Sequence, residues 1–264
     1  MYAFDYQRPQ SVADAAKLGS SDNRYLAGGQ SLIQSMRLRL ASAEQLVDLG
    51  GIKELRGITV DGNGVTIGAM TTHAAVAGSV EVKKAIPGLA ELAAHIGDPM
   101  VRSMGTIGGS IANSDPAACY PAAVLALGAT IRTTRRTIAA DDYFKGLFET
   151  ALDDGELITA VTFPVPMQAA YVKYRQPASR FALVGVMVAN GPQGVRCGVT
   201  GAKTHAYRCT EVEQALTKSF TVGALDGLEL DAAEMNDDLH GSPRYRAAMV
   251  VVMARRAVEA ATRS

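Results

Sequence analysis

Two glycine pairs carry the chemistry that the residues of this chain can be read for. One lies in YLAGGQSLIQSM, Tyr25 to Met36; the other lies in VRSMGTIGGSIANSDPAACYPAAVLA, Val101 to Ala126. Each run opens on a short apolar or extended lead, passes through paired glycines and continues in residues that favour a helix. Without a Cβ the backbone turns sharply at such a strand-to-helix corner, and its N–H groups can approach an anion closely. Gly28-Gly29-Gln30-Ser31 adds a side-chain amide and a hydroxyl to the backbone donors, and Thr106-Ile107-Gly108-Gly109-Ser110 adds hydroxyls of its own. A helix N-terminus contributes about 0.3–1 kcal/mol toward an anion, or about 2 kcal/mol when partly buried. One corner is too weak to hold a dinucleotide. Two corners facing one ligand with a long phosphate-bearing body, with burial of an aromatic ring system added, are strong enough.

Spacing removes several other chemistries. GxxxxGK[ST] is absent, and no GxGxxG follows a strand, so neither a P-loop nor a standard Rossmann fingerprint is present. GxSxG is absent too, which leaves Ser31 and Ser110 without a nucleophile elbow. Cys119, Cys197 and Cys209 form no CxxC pair, against both a disulfide framework and a four-cysteine cluster. His73, His95, His205 and His240 have no metal-ligand spacing and read as helix-surface or loop residues. Asp153-Asp154 with Glu156 reads as a solvated turn, Asp141-Asp142 as the cap of a short helix, and Arg135-Arg136 as a basic pair in a hairpin. Cys119, beside an apolar helix, reads as an inert core thiol.

The chain has 264 residues, enough for one large domain or for two to three small ones with cores of their own. With 26 basic and 26 acidic side chains the formal charge is zero, so there is no basic footprint for nucleic acid. The longest apolar runs, 117–127 and 183–189, are far too short to span a bilayer. The opening MYAFDYQRPQ has no signal-peptide pattern, and a cytoplasmic protein is expected.

The elements that must position the corners follow from pattern. Ser11 is placed to cap a helix over 12–18. A strand at 24–26, the first corner, a helix over 30–39 with Leu32, Met36 and Leu40 on one face, and a strand at 46–49 make a β–α–β unit. Alternation at Ile58, Val60, Val65 and Ile67 across Asp61-Gly62-Asn63-Gly64 predicts a hairpin. Thr71 or Thr72 caps a helix carrying His73, Pro87 starts another that ends at Gly97-Asp98-Pro99, and 120–127 is a compact apolar helix. Strands are expected at 129–134 and 157–163. Beyond Pro164 and Pro166, strands at 170–174, 182–189 and 195–201 with helices at 210–217 and 244–261 predict an α+β unit built on a three-stranded sheet.

AGGQSLIQSMRLRL (27–40), VTIGAMTTH (65–73) and DPMVRSMGTIGGSIANSDPAA (98–118) resemble the FAD-binding medium subunit of the molybdenum hydroxylase family, xanthine dehydrogenase and aerobic carbon monoxide dehydrogenase among them. The likeness continues through DDYFKGLFETALDDGELITAVTFPVP (141–166) to GSPRYRAAMVVVMARRAVEAA (241–261) and covers nearly the whole chain. It implies an α+β, two-lobed FAD-binding fold of the vanillyl-alcohol oxidase or molybdopterin dehydrogenase type. The lobes would be residues 1–56 and 57–164, with a C-terminal carbon monoxide dehydrogenase flavoprotein-like domain at 165–264.

The same resemblance implies FAD in this chain, with a molybdenum cofactor and two-iron two-sulfur clusters in a large and a small partner subunit, assembled as a dimer of heterotrimers. Ala27, Gly28, Gly29, Gln30 and Ser31 would line one side of the pyrophosphate, and Thr106, Ile107, Gly108, Gly109 and Ser110 the other. Leu32, Ile96 and Ile158 match apolar positions near the cofactor, Lys173 a lysine that reaches the flavin region, and Phe181 an aromatic against the ring. Asp115 is kept, but Cys119 stands where relatives usually carry an aspartate that accepts from ribityl or ribose hydroxyls. A thiol is a weak acceptor. The role implied is electron transfer from the iron–sulfur subunit to an external acceptor, with no acid or base in this chain. The alternatives are a stand-alone FAD oxidase or a structural subunit that has lost FAD.

Overall fold

A computed structural model describes residues 1–62 and 64–263. The first part contains β1 (Asp5–Gln7), α1 (Val12–Lys17), β2 (Asn23–Leu26), α2 (Leu32–Arg37) and β3 (Gln45–Asp48). Its three strands are parallel in the order β1-β3-β2, so α1 crosses from one edge strand to the other and α2 returns the chain to the central strand. Ser11 caps α1 as expected, its Oγ accepting from the Asp14 N–H. The helix after the first corner is shorter than the apolar spacing suggested. Arg39 adopts φ 61°, and the Leu40 N–H turns back to Ser35 O at 2.9 Å. Leu40 therefore leaves the helix face and stands 79% exposed.

The second part runs through β4 (Ile58–Asp61), β5 (Gly64–Gly68), α3 (His73–Gly78), α4 (Val80–Ala85), α5 (Pro87–Ala94), α6 (Pro99–Met104), α7 (Ile107–Asn113), α8 (Tyr120–Ala126), β6 (Thr130–Thr133), β7 (Thr137–Ala139), β8 (Phe144–Gly146), β9 (Glu149–Thr150) and β10 (Ile158–Phe163). The expected hairpin joins β4 to β5, although Asn63 of its turn lies outside the described residues. Five strands form an antiparallel sheet, β4-β5-β10-β6-β7. Val65, Ile67, Ile131, Val161 and Phe163 turn inward from it to meet Leu89, Ile107, Ile111 and Val124 of the helices in one core.

The third part holds β11 (Gln168–Arg175), β12 (Ala182–Gly191), β13 (Gly194–Thr200), β14 (Tyr207–Arg208), α9 (Thr210–Lys218) and α10 (Pro243–Arg263). The sheet has four strands rather than three, because two-residue β14 pairs Tyr207 and Arg208 with Val199 and Gly198 of β13. A strand that short has no periodicity to read. The continuous apolar run of β12 is explained by helices on both faces. One face carries α10 and the other α8, which lies so close that a Cβ on Gly198 would sit 3.0 Å from the Ala122 carbonyl carbon.

Two acidic groups are bonded more extensively than their local patterns suggest, Glu156 of the turn read as solvated and Asp141 of the pair read as a helix cap. Glu156 is buried and holds Arg136 Nη2 at 2.9 Å, while Thr133 Oγ1 donates to its other oxygen at 2.6 Å. Burial pushes this carboxyl up, but the hydrogen bonds from Arg136, Thr133 and the Asp153 amide outweigh it and bring the pKa down to about 2. Asp141, rather than merely capping, joins the second part to the third through Arg196 and Arg208, and Arg208 continues to Glu213 at 2.6 Å.

Candidate functional site

The two corners meet. The first leaves β2 at Leu26 and turns at Gly29, whose φ of +69° favours glycine. Gly28 lies backbone to backbone on the end of α6. A Cβ there would fall against Met104 O, 2.7 Å from the Met104 carbonyl carbon and 2.8 Å from Gly105 Cα. The second corner returns the contact, since a Cβ on Gly109 would lie 3.5 Å from Ala27 Cβ. The approach thus requires glycine at 28, and a Cβ at Gly109 would complete an ordinary contact with Ala27.

The second corner is held from behind by the end of β5. Gly108 N donates to Ala69 O at 2.9 Å, Ile107 N to Thr71 O at 3.1 Å, and His73 N to Gly105 O at 2.9 Å. Thr106 caps α7, its Oγ1 accepting from Gly109 N at 3.2 Å, and Ser110 N donates to Thr106 O at 3.0 Å. Four of the five second-corner amides that the sequence offered to an anion, those of Ile107 to Ser110, are therefore already bonded within the protein. The first corner differs. Among the described residues, no protein acceptor takes the backbone N–H groups of Gly29, Gln30 or Ser31. Gln30 is exposed and folds its Nε2 back to Gly28 O at 3.2 Å, while Ser31 is exposed and its hydroxyl caps nothing. The first corner supplies free donors, and the second supplies a rigid wall.

At the far end of α7, about 10 Å along the helix axis, Ser114 adopts φ 48° and turns the chain into Asp115. Asp115 Oδ1 accepts from Ala117 N at 2.8 Å. Burial raises this carboxyl's pKa, and the Ala117 N–H only partly offsets it. A carboxylate short of water and of donors suits a ligand hydroxyl. The loop behind it is tied to the third sheet by Gly201 N, which donates to Pro116 O at 2.7 Å, and by Thr200 Oγ1, which donates to Ala118 O at 2.7 Å.

Lys173 gathers the remaining residues. From β11 its Nζ donates to His95 O at 2.8 Å, to Arg180 O at 3.0 Å and to Cys119 Sγ at 3.3 Å. That places Lys173, Cys119, the end of α5 with half-buried Ile96, and the turn carrying Phe181 in one neighbourhood. Phe181 is 47% exposed. Leu32 is half-buried in a separate small cluster with Met36 and Leu46. Ile158 is buried in the β10 layer beneath the second corner, next to Thr159, whose carbonyl accepts from Ala69 N at 3.0 Å. A cavity of about 350 Å³ lies elsewhere, lined by Asp141, Phe144, His205, Tyr207, Arg208 and Thr210. No corner residue lines it.

His73 was expected at the surface and is instead 5% exposed. It supports the second corner: Gly105 passes so close that a Cβ there would sit 2.6 Å from His73 Nε2. Its ring lies 5.4 Å from that of Tyr120, and burial drives its pKa down to about 4, so it is neutral at pH 7. Thr72 caps α3 as expected, but nothing in the local spacing reveals that residues 71–73 pair with 105–107.

This geometry defines a class: an α+β protein with two touching glycine corners and a desolvated carboxylate, built to hold an extended phosphate-bearing cofactor. A family model described as the FAD binding domain in molybdopterin dehydrogenase matches residues 2–166. The carbon monoxide dehydrogenase medium chain of Afipia carboxidovorans is 40% identical over 98% of this chain and 96% of its own. The nicotine 6-hydroxylase medium subunit of Paenarthrobacter nicotinovorans is 35% identical over 99% of both chains. A solved structure of reconstituted CO dehydrogenase from Oligotropha carboxidovorans superposes with a TM-score of 0.92 at 38% identity, covering 99% of this chain and 98% of that one. The chain belongs to the family of FAD-binding domains found in molybdopterin dehydrogenases.

Proposed function

We infer that the chain is the FAD-bearing, electron-transferring medium subunit of a molybdenum hydroxylase. The observation that carries this is the contact between the two corners, Gly28 on Met104–Gly105 and Gly109 on Ala27, beside first-corner amides that find no acceptor among the described residues. In this reading the Gly29, Gln30 and Ser31 amides bind the pyrophosphate, with Ala27, Gly28 and Leu32 shaping the approach. Thr106 to Ser110 form the opposing wall. Asp115 accepts from hydroxyls of the ribityl or ribose, and Cys119 stands beside it. Ile96, Ile158, Lys173 and Phe181 shape the flavin end, where Lys173 keeps a positive charge tethered. When bound, FAD supplies the capacity to accept and release electrons; the protein binds it, orients it and excludes water. No side chain is asked to move a proton.

The partners in this reading are a small iron–sulfur subunit and a large molybdenum subunit, as a dimer of heterotrimers. Exposed Met100 and Met104 on α6, next to the first corner, give that side an apolar surface to offer a partner. Three buried free cysteines suit a reducing, cytoplasmic setting, and among the described residues no helix is long and apolar enough to cross a membrane. The three larger sheets support a division at 1–56, 57–164 and 165–264.

The test is FAD stoichiometry, from the visible spectrum and heat-released flavin of the purified chain with and without its partner subunits. One FAD per chain is expected. Gly109→Val, whose branches would enter the gap toward Ala27, should give a folded but flavin-free subunit. Full FAD content in that variant would remove the two-corner site.

A further inference from the structure

The start of α8 carries a group of side chains whose donors and acceptors do not match. Cys119 is 5% exposed and receives Lys173 Nζ at 3.3 Å. The other partners of that ammonium are two main-chain carbonyls, and among the described residues no carboxylate pairs with it. Tyr171 lies two residues earlier on β11, hence on the same face. It is 4% exposed, it lies close enough to Cys119 to feel its sulfur, and among the described residues its hydroxyl has no hydrogen-bond partner. Burial first, then the neighbouring sulfur, raise the phenol's pKa well above its ordinary value, so it remains a donor. Gly185 closes the wall, since a Cβ there would strike the Tyr171 hydroxyl and come within 2.8 Å of Thr200 Cγ2. The ammonium thus sits on sulfur, a weak acceptor, with an unpartnered buried phenol beside it. The donor set suits an anion with two acceptor atoms.

We propose that Cys119 is a peroxide-modified residue, and that its sulfinate is the anion which Lys173 and Tyr171 are placed to hold. Hydrogen peroxide is the oxidant. In the first step sulfur gives an electron pair to one peroxide oxygen, the S–O bond forms and the O–O bond breaks. The departing hydroxide takes the thiol proton, leaving a sulfenic acid and water. A second peroxide repeats the transfer to give a sulfinic acid and water, and the acid loses its proton to solvent. One sulfinate oxygen then accepts from the Lys173 ammonium and the other from the Tyr171 hydroxyl. Cys197 and Cys209 are internal controls. Burial raises both thiols, Cys209 to about 12, and both face carboxylates on α9 rather than an unpaired ammonium. The proposal concerns this chain's own covalent state and does not depend on FAD being bound.

The experiment treats the purified full-length chain with graded hydrogen peroxide and follows tryptic peptides by mass spectrometry. The three cysteines fall on separate peptides, 103–132, 197–203 and 209–218. A gain of about 32 Da on peptide 103–132 is expected, with fragment ions placing both oxygens on Cys119 and not one on Met104. It should appear at peroxide levels that leave Cys197 and Cys209 as thiols. Lys173→Met should slow the second oxidation about tenfold through loss of a charge-assisted contact, and Lys173→Arg should restore it. Tyr171→Phe removes a single oxygen and tests the same point if Lys173→Met does not fold. Oxidation of Cys119 no faster than that of the other two cysteines, or indifferent to Lys173 and Tyr171, overturns the proposal. So does an oxygen-bridged link between Lys173 and Cys119 in place of the sulfinate.

Discussion

Replacing Gly28 by alanine adds one methyl group at the point where the two corners touch. That methyl would lie 2.7 Å from the Met104 carbonyl carbon and 2.8 Å from Gly105 Cα, where ordinary contacts begin near 3.4 Å. Both neighbours are backbone, so no side chain can swing aside; the corners must separate by more than half an ångström. Overpacking of this kind costs about 1–3 kcal/mol of stability. The effect on cofactor binding should be larger than the effect on folding. A hydrogen bond to a charged group contributes about 1.5–3 kcal/mol, and misplacing one first-corner amide should therefore weaken FAD about 10- to 100-fold. Flavin fluorescence titration of the apo chain measures the dissociation constant, and denaturant unfolding measures stability separately. Gly78→Ala is the control, since a Cβ there meets nothing within 4 Å; it should leave FAD binding unchanged. A Gly28→Ala chain that binds FAD as tightly as the parent would refute the reasoning that contact between the corners builds the site.

Three further outcomes are expected. Glu156→Gln should lose about 1–3 kcal/mol at neutral pH. Because the folded carboxyl titrates near 2 and its ordinary value is 4.5, its contribution is complete above 4.5 and is lost as pH falls toward 2. An acid-unfolding profile that the substitution leaves unchanged in that window would show the Arg136 pair to be inert. His73→Leu should act in a different window: the folded imidazole titrates near 4 against 6.5, so the parent loses stability as pH falls from 6.5 toward 4 and the variant should not. Denaturant midpoints at pH 4, 5.5 and 7 decide it. Cys119→Asp should tighten FAD several-fold by supplying a strong acceptor beside Asp115, and an unchanged or weaker dissociation constant would place residue 119 away from the ribityl and ribose hydroxyls.

Several features were decided by the sequence alone. Paired glycines between a strand and a helix state a local backbone requirement, and no long-range partner is needed to read it. The same holds for the Ser11 cap, for a threonine cap at 71 or 72, for Pro87 at a helix start, and for the alternation that makes Val65 and Ile67 a sheet face. The strand at 182–189 is legible in the same way, from its unbroken apolar run. Other features were settled only by tertiary structure, because burial and hydrogen-bond partners depend on residues far away in the chain. Local spacing could not show that Ala69 and Thr71 would occupy the Gly108 and Ile107 amides, leaving the free donors on the first corner. Nor could it show that His73 would be buried behind Gly105, or that Glu156 would find Arg136 beneath a turn. Two-residue β14 and the early end of α2 at Arg39 depend on neighbours in space rather than on periodicity. Residue type determined where the backbone bends and which faces are apolar; packing determined which polar groups remain free to meet a ligand.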